Sequence, residues 1–195
     1  MTRLLVATTN QGKLAELQPA LGALGWELCG LQEFPAVPVA REDGASFAEN
    51  ARAKALHYAR ATGCAALADD SGLCVDALGG APGVWSARYA GEGAGYAANV
   101  RKLLREMAAI EPARRTARFR TVCVACFPDR DPIVAEGVLE GRITEVLRGT
   151  EGFGYDPVFE VAGTTRTLAE LPFAEKNRLS HRGSAVTNLA RMLRG

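Results

Sequence analysis

Asp69 and Asp70 stand side by side at the end of the apolar run Ala65-Ala66-Leu67-Ala68, and Ser71 and Gly72 follow at once. An apolar run of that length bounded by a glycine reads as a buried strand. It delivers the two acids to the strand's carboxyl end, the edge where α/β sheets gather ligand chemistry. Adjacent carboxylates repel unless a proton or a cation neutralises them, and ligation by one or two carboxylates is how Mg²⁺ is usually held beside a substrate phosphate. Asp-Asp-Ser-Gly is equally good turn chemistry, so these four residues alone leave an acid pair for a hard cation and a plain turn both open.

A second constellation is Thr8-Thr9-Asn10-Gln11-Gly12-Lys13, placed where a strand turns into a helix. Backbone N–H groups and the helix dipole there point at an anion, and Lys13 adds a full charge. The segment is not a Walker A loop, because the first glycine is missing and Leu14 stands where Ser or Thr should follow the lysine. A triphosphate held here would need its metal supplied by carboxylates elsewhere, which Asp69 and Asp70 could do. Glu42-Asp43-Gly44 offers further acids and Lys54 a further cation, although solvated loops and helix faces carry the same residues.

Gly152-Phe153-Gly154-Tyr155-Asp156-Pro157 joins two aromatics to glycines and an acid. Aromatic faces stack on bases and glycines admit close backbone approach, while a packed turn would have the same composition. Lys176-Asn177-Arg178-Leu179-Ser180-His181-Arg182-Gly183 crowds cations around an expected helix start, where the dipole opposes them unless a ligand is near. A Ser71–His181 nucleophile pair lacks a Gly-x-Ser-x-Gly elbow and follows two acids that disfavour an alkoxide. Cys123-Val-Ala-Cys126 has no partner pair or nearby histidine for zinc, and on a strand its two thiols face opposite ways.

These residues need elements to hold them. Arg3 to Ala7 reads as a short buried strand, and Leu14, Leu17, Leu21 and Leu24 share a helical face. Ser46-Phe47-Ala48-Glu49 reads as a capping box opening a helix that Gly63 stops, with Asn50 and Lys54 one turn apart on one face. Leu78 to Tyr89 is too rich in Gly and Pro for regular structure. Asn99 to Met107 reads as a helix. Arg118 to Phe127 and Pro132 to Arg142 read as a hairpin, and a last helix from about Ser180 carries Val186, Leu189, Ala190 and Leu193 on one side. Helices and strands mix without strict βαβ alternation, which predicts an α/β or α+β sheet with some antiparallel pairing.

The chain's 195 residues suit one domain spanning 1–195. Lys plus Arg total 23 and Asp plus Glu 22, which leaves no field for non-specific nucleic-acid binding. Five cysteines, an odd number set mostly in apolar runs, suit buried thiols in a reducing compartment. The short apolar stretch after Arg3 is no signal peptide and no run is long enough for a bilayer, so the expectation is a cytoplasmic protein with no membrane partner.

Taken together and in order, Ala7 to Lys13, Ser46 to Asn50, Ala68 to Leu73, Gly80 to Gly83, Ser86 to Tyr89, Gly152 to Pro157 and Ser180 to Gly183 resemble the non-canonical purine NTP pyrophosphatase family, the ITP/XTP/dITP diphosphatases. The resemblance spans nearly the whole chain. It implies Mg²⁺-dependent cleavage of ITP, dITP and XTP to the monophosphate and pyrophosphate by a cytosolic homodimer. The implied fold is a long curved mixed sheet flanked by helices, in two lobes with the active site in the cleft.

It also implies roles, residue by residue. Thr8, Thr9, Asn10, Gln11, Gly12 and Lys13 would bind the triphosphate. Glu42 and Asp70 would bind the metal, with Asp70 also the proton acceptor. Ser71 would touch the nucleotide, and Phe153, Gly154, Tyr155 and Asp156 the base region. Lys54 and Lys176 would contact the ligand, and His181 with Arg182 the purine edge. A non-catalytic nucleotide-binding module and a diphosphatase for modified pyrimidine nucleotides are the competing readings; turnover and substrate preference separate them.

Overall fold

The computed structural model describes residues 3–22 and 25–194. Among these, six strands form one mixed sheet in the order β2-β1-β3-β4-β5-β6. They are β1 (Arg3–Val6), β2 (Glu27–Gly30), β3 (Ala65–Val75), β4 (Thr116–Cys126), β5 (Ile133–Ile143) and β6 (Phe159–Val161). The helices are α1 (Gln11–Gly22), α2 (Phe47–Thr62), α3 (Tyr96–Glu106), α4 (Phe173–Leu179) and α5 (His181–Arg194). β1 pairs in parallel with both β2 and β3, whereas β5 and β6 are antiparallel. β4 and β5 are neighbours joined by the short connection 127–132, too short for a parallel crossover, so they form the expected hairpin.

The chain groups into two compact units. One contains residues 1–70, 121–137 and 182–195, the other 71–120 and 138–181. Inside the first, Leu4 and Val6 of β1, Leu17 and Leu21 of α1, Leu67 of β3, Cys123 and Ala125 of β4, and Val186 and Leu189 of α5 make one apolar cluster. That places the leucine face of α1 and the apolar side of α5 as the periodicity predicts; Leu24 lies outside the described residues. The second unit is built around Leu73 and Val75, Val100, Leu103 and Met107 on one side of α3, and Phe119, Ile143, Tyr155, Phe159, Leu168 and Leu171. All five cysteines are free.

Local sequence explains the helix limits. Ser46 accepts a hydrogen bond from the Glu49 N–H, and Gly63 ends α2 with φ +68°, where only glycine is unstrained. The reciprocal half of the expected capping box is displaced by one residue, because Glu49 Oε2 accepts from Ala45 N at 2.8 Å. Asn10 caps α1: its Oδ1 accepts from Lys13 N at 3.1 Å, and Asn10 N donates to Thr8 Oγ1 at 3.2 Å.

Three expectations need correction. β3 does not end at the acid pair: it runs through Asp69, Asp70, Ser71 and Gly72 to Val75, which rules out the turn. Backbone pairing, not composition, set that length, since β1 covers β3 only as far as Leu67 and β4 is its neighbour on the other side. Lys176 does not sit at a helix start. It lies in the last turn of α4 beside Arg178, where the dipole favours cations, and Ser180 in an extended conformation separates α4 from α5. The Gly/Pro-rich stretch from Leu78 to Tyr89 holds one 3₁₀ segment, Gly83–Arg88, and a second, Asp76–Leu78, ends at its first residue.

Candidate active site

β1 leads through α1 to β2 on one side, while β3 lies on the other, so β1 sits where the strand order reverses. Ligands in open α/β sheets collect outside the carboxyl ends of strands at such a point. β1 stops at Val6, opposite Leu67, and Ala7 N donates to Leu67 O at 2.8 Å. β3 therefore runs on past the end of β1, starting with Ala68, Asp69 and Asp70, and the acids lie beyond the end of β1 although they are in the middle of their own strand.

The capped start of α1 meets that overhang. Lys13 Nζ lies 2.8 Å from Asp69 Oδ2, whose side chain is 1% exposed. Arg182, at the start of α5, puts Nη1 2.5 Å from Glu16 Oε2 and Nε 3.7 Å from the same Asp69 oxygen. Burial pushes the Asp69 carboxyl up, but Lys13, Arg182 and Lys54 outweigh it and leave it below the ordinary value. Asp69 is thus an ionised, buried acid occupied in aiming two cations.

Asp70 is set differently. Its Oδ2 accepts from Asn50 Nδ2 at 2.9 Å, and its backbone carbonyl accepts from Thr121 Oγ1 at 3.2 Å. Burial raises its pKa, Glu42 adds to the rise, and Asn50, Lys13 and Lys54 only partly oppose it. Lys54 is mid-helix in α2, not near its start. It puts Nζ 2.7 Å from Glu42 Oε1 and donates to Asp69 O at 3.1 Å. Burial lowers its pKa, but Asp69, Glu42 and Asp70 together hold it raised and protonated. Asn50 also accepts from Gly44 N at 2.8 Å, tying the loop that bears Glu42 to α2 and to Asp70.

The first unit therefore gathers Lys13, Glu42, Lys54, Asp69, Asp70 and Arg182 around the capped loop, with Thr9 and Gln11 exposed and Thr8, Asn10 and Gly12 partly so. Glu16, Asn50 and Thr121 are members that sequence reasoning missed. The pairing of Asn50 with Lys54 on one helical face was the available signal for the second.

In the second unit, Lys176 Nζ lies 2.8 Å from Asp156 Oδ2 and 4.9 Å from the centre of the Phe153 ring. Phe153 N donates to the same Asp156 oxygen at 2.8 Å. Gly152, at φ +79°, sits so close that a Cβ would fall 2.1 Å from that oxygen. Tyr155 Oη donates to Ser86 O at 2.9 Å, and Ser86 Oγ accepts from Leu73 N at 2.9 Å. Phe153, Gly154, Tyr155, Asp156 and Lys176 thus form one braced segment. The buried His181 ring stacks on Phe119, centroids 4.8 Å apart and planes 9° from parallel, and Ser71 is half-buried on β3.

Among the described residues no three His, Cys, Asp or Glu side chains are placed to cage a metal. Glu42 and Asp70 remain as two hard oxygen donors close enough to share the field of one ammonium, Lys54. That donor set suits Mg²⁺, which takes one or two carboxylates and completes its shell with water and substrate phosphate.

The whole chain has close relatives. The Ham1 family model matches residues 4–192. The dITP/XTP pyrophosphatase of Methylococcus capsulatus is 52% identical over 98% of this chain and 96% of its own length, and that of Geobacter sulfurreducens 50% identical over 97% and 95%. A HAM1 protein from Coxiella burnetii superposes with a TM-score of 0.92 at 44% identity, covering 100% of this chain and 99% of that one. The Ham1 protein of Staphylococcus aureus gives 0.91 at 36% identity, with the same coverage. An acid pair overhanging a parallel strand, a capped cationic loop and near-complete coverage by these relatives lead to one conclusion: the chain belongs to the Ham1 family.

Proposed function

We propose that this chain hydrolyses the purine nucleoside triphosphates ITP, dITP and XTP to the monophosphate and pyrophosphate, clearing hypoxanthine- and xanthine-bearing nucleotides from the pool, and that residues 1–195 act as one catalytic domain. The observation that carries the reading is the juxtaposition at the end of β1: Lys13 is fixed by buried Asp69 while Asp70 next to it keeps a raised pKa. The anchor of a cation for departing phosphate and a proton acceptor for water are thus adjacent residues of β3.

The reaction places a water oxygen on the α-phosphorus and breaks the bond from that phosphorus to the oxygen bridging to β, so pyrophosphate leaves. Asp70 orients the water and takes its proton, work worth about 10²–10⁴-fold for a positioned base. Lys13 and the N–H groups of Thr9, Gln11 and Gly12 meet the charge that develops on the pyrophosphate, with Lys54 beside them. Asp70 and Glu42 would hold Mg²⁺, which would supply charge neutralisation and polarisation of phosphoryl oxygens. Asp69 takes no part in the chemistry and serves to aim Lys13.

Phe153, Gly154, Tyr155 and Asp156 receive the base, Lys176 and Ser71 contact the nucleotide, and His181 with Arg182 face the purine edge. A 6-oxo group accepts from such donors. Adenine presents an amino group and leaves them buried without an acceptor, at a cost of roughly 1–3 kcal/mol. The protein works as a cytoplasmic homodimer on a small-molecule substrate, without nucleic acid or membrane; no described helix is long and apolar enough to cross a membrane.

The test is pyrophosphate release from dITP, ITP, XTP, dATP, dGTP, dUTP and a methylated pyrimidine triphosphate, with and without Mg²⁺. Turnover confined to the first three and lost without the metal is expected. Tight ITP binding with no turnover would mean a binding module, and preference for the pyrimidines a different diphosphatase.

A further inference from the structure

We infer that Tyr96 is a base-contacting residue that forms, with Phe153, an aromatic platform for the purine and helps set its affinity; this rests on the reading that Phe153 to Asp156 receive the base. Tyr96 opens α3 after Gly95, which makes no side-chain cap. It falls in register with Val100 and Leu103, four and seven residues on, so the three share one helical face. Val100 is 3% and Leu103 0% exposed, while Tyr96 is 47% exposed. The apolar stripe of α3 thus runs off the core at its first turn. A tyrosine serving the core alone would be covered like its two neighbours on that face.

Tyr96 touches Phe153. The ring centroids are 6.0 Å apart and the planes 37° from parallel, within the range of favourable aromatic pairs. Lys176 Nζ lies 4.9 Å from the centre of the Phe153 ring, so the phenyl contacts both a cation and a phenol. The pair is also braced from behind. Asn99, one turn along α3, donates to Ala87 O at 3.0 Å and Ser86 O at 3.4 Å, and accepts from Ala90 N at 2.8 Å. Tyr155 donates to that same Ser86 carbonyl at 2.9 Å. Lys102 donates to Tyr89 O at 2.8 Å.

A closed circuit results. Tyr96 connects along α3 to Asn99, Asn99 to Ser86, Ser86 to Tyr155, Tyr155 along the chain to Phe153, and Phe153 back to Tyr96. Two rings fixed on one hydrogen-bonded frame lose little freedom when a flat ligand covers them, and every base has a π-face to offer. Half of the tyrosine's surface is available for that contact, which a heteroaromatic ring would remove from water.

The test compares Tyr96→Ala, Tyr96→Leu, Tyr96→Phe and Phe153→Ala by steady-state kinetics on dITP and by inhibition with inorganic tripolyphosphate, which has no base. Stacking on an aromatic residue predicts that Tyr96→Ala and Tyr96→Leu raise the dITP KM by about fivefold or more with kcat kept. Tyr96→Phe keeps the original KM, and tripolyphosphate inhibition is the same in all. If Phe153→Ala raises KM and neither Tyr96→Ala nor Tyr96→Leu does, the inference is overturned while the base reading stands. If Phe153→Ala also leaves KM unchanged, the base reading fails and takes the inference with it. Loss of kcat and of tripolyphosphate inhibition together in Tyr96→Leu overturns it in favour of a structural role.

Discussion

Lys13 and Asp69 are joined at 2.8 Å, the lysine in the first turn of α1 and the aspartate in the middle of β3 with only 1% of its side chain exposed. The same carboxylate faces Arg182, so one buried negative charge holds two cations. Removing one partner of a buried ion pair leaves the other uncompensated, typically at about 3–5 kcal/mol. Asp69→Asn is therefore expected to lower the melting temperature by roughly 6–20 °C for a chain of this size. Lys13→Met combined with it should cost less than the two single changes added together, which thermal melts of the cycle would reveal.

The two neighbouring acids should respond to pH with opposite signs. Asp69, held below its ordinary value, contributes stability that is present above the unfolded pKa and is lost as pH falls through the folded one. Asp70, held above its ordinary value mainly by burial, penalises the native state at neutral pH, and the penalty is relieved as pH falls through its raised pKa. In protein free of divalent cation, Asp70→Asn should be at least as stable as the parent at pH 7, with the difference shrinking toward acid. Denaturant titrations across pH check this, and a loss of stability at pH 7 as large as that of Asp69→Asn would refute it.

Asp70→Asn should nevertheless lower kcat by about 10²–10⁴-fold, the range for removing a positioned base, while dITP still binds. The asparagine keeps an oxygen for Asn50 and the same volume, so the fold is left alone. Equilibrium binding beside single-turnover rates separates the two effects.

Much of this was legible in the sequence because it is local. Ser46 and Gly63 bound α2 through contacts three and four residues away. The leucines of α1 and the apolar side of α5 declare their period. What sequence reasoning missed depends on partners far along the chain. β3 outruns its apolar run because β4 is beside it, and the roles of Asn50 and Glu16 follow from Asp70 and Arg182, 20 and 166 positions away. α4, seven residues between Pro172 and an extended Ser180, is too short to show a period, so in the sequence its cations look like part of the next helix start.

Gly152 makes a separate prediction for the base segment. At φ +79°, with Asp156 Oδ2 where a Cβ would go, Gly152→Ala must strain the backbone by about 1–2 kcal/mol and push Asp156 away from Phe153 N and Lys176. The expected signature is a raised KM for dITP with tripolyphosphate inhibition preserved. An unchanged KM would mean that the 152–156 segment does not hold the base.

The account turns on water attacking the α-phosphorus, and isotope placement tests that most directly. dITP is hydrolysed in H₂¹⁸O and the products are weighed by mass spectrometry. One ¹⁸O in dIMP, none in pyrophosphate and no inorganic phosphate is the predicted result. Label in pyrophosphate, or release of dIDP and phosphate, would contradict the assignment of Asp70 and Lys13 to the two ends of that bond.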